Sequence, residues 1–385
     1  MFMIATNNTR GLYHRLQVAN KLLKGSHDKD EKVALFNYIA NLYYSIGRVS
    51  NMEINASEKK VFGSHKNFRK LMRRFDLYKL KMLENCVKYK DFHSDFLGDI
   101  LVVVEDDINE LEDRKPIDTS SLSEDDFYTI FFDFMKTHHL EKLFDKFIKE
   151  KRIYKIIGDC DISLGFTLFN PINHDSDIFV KDFGYDINSL FILAHGFGHA
   201  YDFNHFDRAV SFYNQYFHQS FYGEVLPKTF ERLFLNYLFQ NHILEDEAID
   251  KLFEMEILNY DYLLGSYILS LLDDKLLIDE KYRTLSHQDL INRIKKYFIS
   301  EEEIMLYIQN ITYFDVGEDF NYTYGNILSL YLKGSIEEDG FDNPMMNDFL
   351  EKRNNLFTPE FLSRWDITPS GYQKKHSMDM KILKK

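Results

Sequence analysis

Cysteine, proline and glycine are scarce in this chain of 385 residues, which has 2 Cys, 6 Pro and 17 Gly. Two lone thiols, Cys86 and Cys160, do not make a disulfide framework, so the sequence favours a reducing compartment. Because proline and glycine mark turns, their scarcity favours a mostly helical chain with few tight turns.

Basic residues are also fewer than acidic ones, 47 against 61, which gives a net charge of −14. Nucleic acids and anionic membranes need a basic face, so neither is expected as a partner. No run approaches the roughly 18 apolar residues of a membrane helix. The opening "MFMIATNNTR" has no basic region ahead of its short apolar stretch, which argues against a signal peptide. We therefore expect a cytoplasmic protein.

The periodicity of apolar residues divides the chain into three parts. Residues 1–150 carry helical spacing, as in "EKVALFNYIANLYYSIGR", and are predicted to form an N-terminal helical region. Residues 151–370 begin with β-branched and aromatic stretches, "YKIIGDCDISLGFTLFN" and "SDIFVKDF", which predict two or three strands between about 153 and 183. Helices resume after Gly184. The basic tail 371–385 is expected to be loose. The predicted fold class is mainly α, with a small β element.

Two histidines stand four residues apart in "ILAHGFGHAYDF", residues 192–203. On a helix, positions four apart lie one above the other on the same face, so His195 and His199 can offer two imidazoles to one ion. Asp186 is a plausible cap for the start of this helix. The spacing is that of the zinc-protease motif H-E-x-x-H, but Gly196 stands where that motif has glutamate.

A catalytic zinc site commonly has three protein ligands, and two histidines with a glutamate form one standard set. Downstream, "FYGEVLPKTFERLF" contains Glu224 and Glu231. They are seven residues, or two helical turns, apart and can face the same side. The separation of Glu224 from His199 permits a loop and a second, antiparallel helix.

Together these phrases resemble the M3 family of zinc metallopeptidases, the oligoendopeptidase F and thimet oligopeptidase group. The family has a β segment followed by a helix reading roughly L-A-H-E-[FL]-G-H-A, where this chain has "LFILAHGFGHA". Its next helix carries a phrase like A-E-[VI]-x-S-T-x-N-E, where this chain has "GEVLPKTFERLF". Its phrase F-x-Y-x-Y-x-x-G is similar to "DFNYTYGNILSLYL". The resemblance covers about residues 153–370.

The resemblance implies helical lobes around a substrate cleft, with 151–370 as the metallopeptidase catalytic domain. It implies a Zn²⁺ ion on the cleft floor and short peptides as substrate or ligand. The residues it implicates are the zinc ligands His195, His199 and Glu224, the histidine-orienting carboxylate Glu231, and the substrate-facing tyrosines Tyr322 and Tyr324.

Two departures from the family pattern bear on catalysis. The absent glutamate would take a proton from the attacking water and later pass it to the leaving amine, and losing such a group typically costs about 10²–10⁴ in rate. A family histidine before the tyrosine phrase is also missing, and Tyr313 is the nearest polar candidate for its place. Glycine inside a helix is roughly 0.5–1 kcal/mol worse than alanine. A close helix contact is expected to explain Gly198, while no packing reason is expected for Gly196.

Three functions remain open at this point. The first is a zinc metallopeptidase acting on short peptides with impaired catalysis, and the second is a non-catalytic pseudopeptidase that binds peptides or a protein partner in the inherited cleft. The third is a structural protein without metal, because histidines four apart also occur by chance.

His205, six residues after His199, has the spacing of the third ligand in H-E-x-x-H-x-x-G-x-x-H, but Asp202 occupies the glycine position of that pattern.

Overall fold

The computed structural model describes residues 5–6, 8–27, 29–50, 88–109, 111, 119–157, 165–205, 223–271, 316–352 and 359–384. The architecture is mainly α with one small sheet, as predicted. The helices are α1 (Arg10–Gly25), α2 (Lys29–Ser50), α3 (Lys90–Asn109), α4 (Glu124–Thr137), α5 (Glu141–Glu150), α6 (Ile187–Asn204), α7 (Val225–Gln240), α8 (Glu245–Leu271), α9 (Val316–Asp339), α10 (Pro344–Lys352), α11 (Pro359–Arg364) and α12 (Pro369–Leu383).

The sheet lies between α5 and α6 in the sequence, where the strands were predicted. Its strands are β1 (Ile153–Ile156), β2 (Gly165–Asn170) and β3 (Asp175–Lys181), in the order β1-β3-β2. β1 runs parallel to β3, and β2 runs antiparallel to it. The short connection from Asn170 to Asp175 makes β2 and β3 a hairpin.

The two faces of the sheet pack against different helices because successive strand residues point in opposite directions. Leu168 and Phe179 point to one face and join a hydrophobic cluster with α1 and α2. Ile178 and Val180 point to the other face and join the main core, which contains α6.

Helix α6 lies at the centre of the main core. Asp186 caps its first turn, as predicted, since its carboxylate accepts a hydrogen bond of 2.8 Å from the backbone N–H of Ser189. Farther along, the ring of Phe197 packs against Phe131, Phe144 and Phe147, with centroids 4.9–5.7 Å away. These phenylalanines belong to α4 and α5, so the core extends across the boundary expected at residue 150.

Helix α7 crosses α6 at a point of very close approach. A Cβ placed on Gly198 would lie 2.5 Å from the Cα of Pro227, which real side chains do not tolerate. The helix contact that was predicted to explain Gly198 is therefore confirmed. This contact sets the distance between the two helices that carry the candidate metal ligands.

The C-terminal segment departs from its prediction as a loose tail, because residues 369–383 form α12 and pack on the core. Thr368 caps this helix by accepting a hydrogen bond of 3.1 Å from the N–H of Gly371. His376 is fully buried and lies 2.9 Å from Glu256 and 3.1 Å from Asp107. The inner face of the segment carries His376, whose partners are the buried Glu256 and the partly exposed Asp107.

Among the helices of the described ranges, none is both long enough and apolar enough to cross a bilayer.

Candidate metal centre

Helices α6 and α7 bring together the three predicted ligands. Nε2 of His195 lies 3.5 Å from Oε2 of Glu224, and Nε2 of His199 lies 3.7 Å from Oε1 of the same carboxylate. One donor atom from each of the three residues lies within 4.8 Å of the other two. The three side chains therefore converge on one point.

The spacing of these donors fits zinc. Nitrogen and oxygen ligands about 2.0–2.2 Å from a tetrahedral ion lie roughly 3.3–3.6 Å from one another. Of the two nitrogen–oxygen distances, 3.5 Å lies within that range and 3.7 Å lies just above it. His195 keeps 25% of its side-chain surface exposed, so a ligand can approach the site from outside.

Glu224 is positioned by helix α9 as well as by α7. Its backbone N–H donates a hydrogen bond of 3.1 Å to the side-chain oxygen of Asn321. A Cβ on Gly325 would lie 2.9 Å from the Cβ of Glu224, so only glycine lets α9 approach this closely. The third candidate ligand thus depends on a helix about 100 residues farther along the chain.

Glu231 lies behind His195, on the side away from Glu224. Its Oε1 is 2.8 Å from Nδ1 of His195, and its Oε2 accepts a hydrogen bond of 2.9 Å from Nζ of Lys228. A carboxylate on Nδ1 fixes the tautomer and the ring orientation, which leaves Nε2 for a metal ion. The geometry suits the orienting role predicted for Glu231.

Burial and charge act in opposite directions on these groups. Burial by itself lowers the pKa of His195, but Glu224 and Glu231 outweigh it and raise that pKa above its ordinary value. Burial, with the charge of His195, holds the pKa of His199 well below its ordinary value. Burial opposes ionisation of Glu231, yet Lys228 and His195 lower its pKa to about 2. Glu231 is therefore a carboxylate at neutral pH.

Gly196 faces the sheet, although its sequence position predicted no packing reason for glycine. A Cβ at this position would lie 2.9 Å from Cγ2 of Ile178, which is fully buried in β3. That expectation is wrong, since Ile178 fills the space that a side chain at position 196 would need. The backbone oxygen of Gly196 accepts a weak hydrogen bond of 3.4 Å from Thr167.

The two candidate tyrosines lie in different places. Tyr322 stacks on Tyr262, with ring centroids 4.5 Å apart, and lines a cavity beside His195. Tyr324 is only 2% exposed, and its hydroxyl lies 2.6 Å from Nδ1 of His93. Tyr324 is thus a core residue, and it does not face a substrate cleft as predicted. Tyr313 lies outside the described residues.

The alternative third ligand, His205, lies past the end of α6. Its Nδ1 is 2.8 Å from the backbone oxygen of Tyr201. Over the described residues, the group of donors that converges on one point contains Glu224 and not His205. The geometry therefore favours the H-x-x-x-H plus glutamate set over the three-histidine pattern.

The cavity beside the metal site has a volume of about 370 Å³. Its walls come from β2, β3, α6, α7, α8 and α9. The lining residues are Gly165, Phe166, Thr167, Ile178, Phe179, Asn188, Phe191, Ile192, His195, Gly196, Lys228, Glu231, Lys251, Glu254, Met255, Leu258, Tyr262 and Tyr322. Sequence reasoning missed Lys228, although it lies on the same face of α7 as the two glutamates, four residues after Glu224 and three before Glu231.

Comparison with known proteins adds little to this geometry. No family model matches the chain, and no curated protein matches it. A solved structure of a protein from Bacillus anthracis str. Ames, assigned as an oligoendopeptidase F, is similar to the chain with 14% identity and a TM-score of 0.45. The match covers 92% of this chain and 67% of that one. What the site can do is therefore inferred from its own side chains.

Proposed function

We propose that this protein holds a zinc ion in an M3-type metallopeptidase scaffold and binds short peptides there, with peptide hydrolysis impaired. One observation carries the proposal, which is the convergence of His195, His199 and Glu224 within 4.8 Å. The position of Glu231 on the far nitrogen of His195 supports it, because ligating histidines usually donate that nitrogen to a carboxylate. A cytoplasmic location and peptides as ligands belong to the same proposal.

The residues around the site account for the impairment. A zinc ion held there would polarise a peptide carbonyl and acidify water, but hydrolysis also needs a group that moves the proton. Gly196 has no side chain for that task. Glu231 is a poor substitute, because its two oxygens face His195 and Lys228 and its pKa of about 2 makes it a weak base.

A pseudopeptidase that only binds peptides is the second candidate, and Ile178 favours it. This side chain occupies the space beside position 196, so the scaffold has packed around the missing glutamate. The two candidates share the zinc site and differ in turnover.

The zinc site is tested by measuring bound zinc after equilibrium dialysis, for the purified chain and two variants. We expect about one zinc per chain, its loss in His199→Ala, and its full retention in the matched control His205→Ala. Both substitutions truncate one histidine on or just after α6, and only the first removes a converging donor. A wild-type chain that binds no zinc would leave the structural protein without metal as the explanation.

Turnover is tested with quenched fluorescent peptides in the presence of zinc. We compare the wild-type chain, Gly196→Glu, and the double variant Gly196→Glu with Ile178→Ala, which makes room for the new carboxylate. Cleavage that rises in the double variant supports a peptidase scaffold lacking its base. Wild-type cleavage at an ordinary enzymatic rate, abolished by His199→Ala, would contradict the impairment.

A further inference from the structure

Helix α9 touches Glu224 at two successive turns. A Cβ placed on Gly325 would lie 2.9 Å from the Cβ of Glu224 and 3.1 Å from its backbone carbon and oxygen. One turn earlier, the side-chain oxygen of Asn321 accepts a hydrogen bond of 3.1 Å from the backbone N–H of Glu224. A shift of this part of α9 would therefore move the third candidate ligand.

Another side of the same part of α9 is fixed by helix α3. The hydroxyl of Tyr324 lies 2.6 Å from Nδ1 of His93. Tyr324 is 2% exposed and His93 is 1% exposed. Because a hydrogen bond between buried groups is costly to leave unmade, this one resists sliding of α9 against α3.

Aromatic rings surround this hydrogen bond. The ring of Tyr324 lies parallel to that of Phe96, with centroids 6.4 Å apart, and meets the ring of His93 edge-on at 5.6 Å. Phe320, one turn before Tyr324, lies 5.4 Å from the His93 ring. Apolar contacts alone would tolerate several positions of α9 on α3, whereas the hydrogen bond selects one of them.

His93 carries no charge at neutral pH, since burial lowers its pKa to about 4. Its hydrogen bond with Tyr324 therefore joins two neutral groups, and a neutral substitution of either residue leaves the charge around the metal centre unaltered. An effect of such a substitution on metal binding would come from the position of the ligands and not from the electrostatic field.

We infer that the hydrogen bond between His93 and Tyr324 makes both of them positioning residues, which hold α9 where it fixes Glu224. That Glu224 binds zinc rests on the proposed function. The positioning of Glu224 by α3 and α9 rests on the contacts alone. Since α3 lies within residues 1–150, the metal centre depends on the N-terminal helical region as well as on the segment that carries its ligands.

Two buried tyrosines of α9 supply a matched pair of variants. Tyr324→Phe removes only the hydroxyl that reaches His93. Tyr331→Phe is the control, because Tyr331 is 5% exposed and donates its own hydrogen bond of 3.3 Å to the backbone oxygen of Thr368. In Tyr324→Phe we expect zinc affinity to fall by about three- to tenfold, less than the roughly 10–100-fold for a direct partner of a ligand. Equal zinc affinities in the two variants, measured by competition with a chelator, would overturn the inference.

The spectrum of the Co²⁺-substituted protein distinguishes positioning from a general loss of stability. The visible absorption of Co²⁺ depends on the arrangement of its ligands, so the bands should shift in Tyr324→Phe and keep their wild-type positions in Tyr331→Phe. Urea unfolding measures the stability of both variants separately. A less stable Tyr324→Phe protein with an unchanged cobalt spectrum and zinc affinity would make the hydroxyl merely structural and overturn the inference.

The two partners of the hydrogen bond should act as one unit. His93→Leu and Tyr324→Phe each remove it, so the double variant should lose no more zinc affinity than the more affected single variant. Additive losses would show that the two side chains act separately and would contradict the proposed link.

The contact between α9 and Glu224 is tested at Gly325. Gly325→Ala places a methyl group against Glu224, and Gly334→Ala makes the same change farther along α9, where the nearest atom is the flexible Nζ of Lys375 at 3.4 Å. Zinc affinity should fall more in Gly325→Ala than in Tyr324→Phe and should stay at the wild-type value in Gly334→Ala. A folded Gly325→Ala protein with wild-type zinc affinity would overturn the inference. Because Tyr324→Phe removes a single oxygen, the tyrosine pair decides the inference even if Gly325→Ala does not fold.

Amide hydrogen exchange of the metal-free chain separates this inference from the proposed function. The backbone N–H of Glu224 is hydrogen-bonded to Asn321, so it should exchange faster in Tyr324→Phe and at the wild-type rate in Tyr331→Phe. A chain that never binds zinc but shows this difference would refute the metal centre and leave the positioning of Glu224 standing. A chain that binds zinc but shows no difference in exchange or in zinc affinity would overturn the inference and leave the proposed function standing.

Discussion

The Cα of Gly196 faces Ile178 so closely that a Cβ on residue 196 would lie 2.9 Å from Cγ2 of Ile178. Residue 196 occupies the glutamate position of the zinc-protease motif, and Ile178 belongs to the strand beneath the helix. Glycine at position 196 and isoleucine at position 178 therefore belong to one packing arrangement.

This contact predicts an unusual effect of alanine at position 196. Alanine is normally better than glycine inside a helix by roughly 0.5–1 kcal/mol. We expect Gly196→Ala to destabilise the protein instead, by about 1 kcal/mol or more, because overpacking a core typically costs about 1–3 kcal/mol. In an Ile178→Ala background the same change should be stabilising. Urea unfolding of the four proteins of this cycle measures the coupling.

Gly334 provides the control for this cycle. It lies inside α9, and the atom nearest to a Cβ placed on it is the flexible Nζ of Lys375 at 3.4 Å. Gly334→Ala should therefore show the ordinary helical gain. Additive effects at positions 196 and 178 would contradict the proposed packing conflict.

The carboxylate behind His195 predicts a change in metal affinity. Glu231→Gln weakens the group that holds Nδ1 of His195, and loss of such partners typically costs about 10–100-fold in metal affinity. Glu254→Gln is the matched control, because Glu254 also lines the cavity but is not among the hydrogen-bond partners of His195 given by the structure. Competition with a zinc chelator measures both. Equal affinities in the two variants would exclude an orienting role for Glu231.

A buried ionic cluster predicts a large loss of stability on removal of its arginine. Arg232 is 1% exposed and contacts Glu256 at 3.3 Å and Asp379 at 2.7 Å. Arg232→Met would leave two buried carboxylates without their main counter-charge, which typically costs about 3–5 kcal/mol. Arg364→Met removes an exposed partner of Asp348 and should cost less than about 1 kcal/mol. Denaturant unfolding that gave the two variants equal losses would contradict this account.

The same cluster predicts how stability depends on pH. Burial opposes ionisation of Glu256, but Arg232 and His376 lower its pKa from 4.5 to about 2. Its contribution is therefore complete above about pH 4.5 and is lost as the pH falls towards 2. Burial disfavours charged His376, but Glu256 and Asp107 outweigh it and raise its pKa above 6.5. That contribution is complete below pH 6.5 and is lost as the pH rises through the raised value.

The histidine part of this dependence can be isolated by substitution. His376→Gln should reduce the loss of stability on the alkaline side, to which His195 also contributes because its pKa is raised as well. His242→Gln is the control, because His242 is 80% exposed and pairs only with the exposed Glu245 at 2.6 Å among the contacts described. Unfolding free energies measured across the pH range should differ from wild type only in the first variant. An identical alkaline limb in His376→Gln would refute the assignment.

Part of the candidate metal centre could be predicted from spacing, while the choice of Glu224 as the third ligand came from the family resemblance. A helix repeats every 3.6 residues, so His195 and His199 had to share a face, and Glu224 and Glu231 had to share another. The cap at Asp186 and the strands before it were equally local, since turn and cap preferences depend on a few neighbouring residues. The structure contains the predicted cap and strands.

What the sequence by itself determined is therefore the class of elements and the residues that each one presents. Only the tertiary structure decided which of these residues meet. It placed Ile178 under Gly196, Tyr322 in the cavity and Tyr324 against His93 in the core. It also placed the basic C-terminal segment in a helix whose His376 contacts the buried Glu256. Such contacts join residues that are distant along the chain, and they depend on how helices and strands pack, which periodicity does not encode.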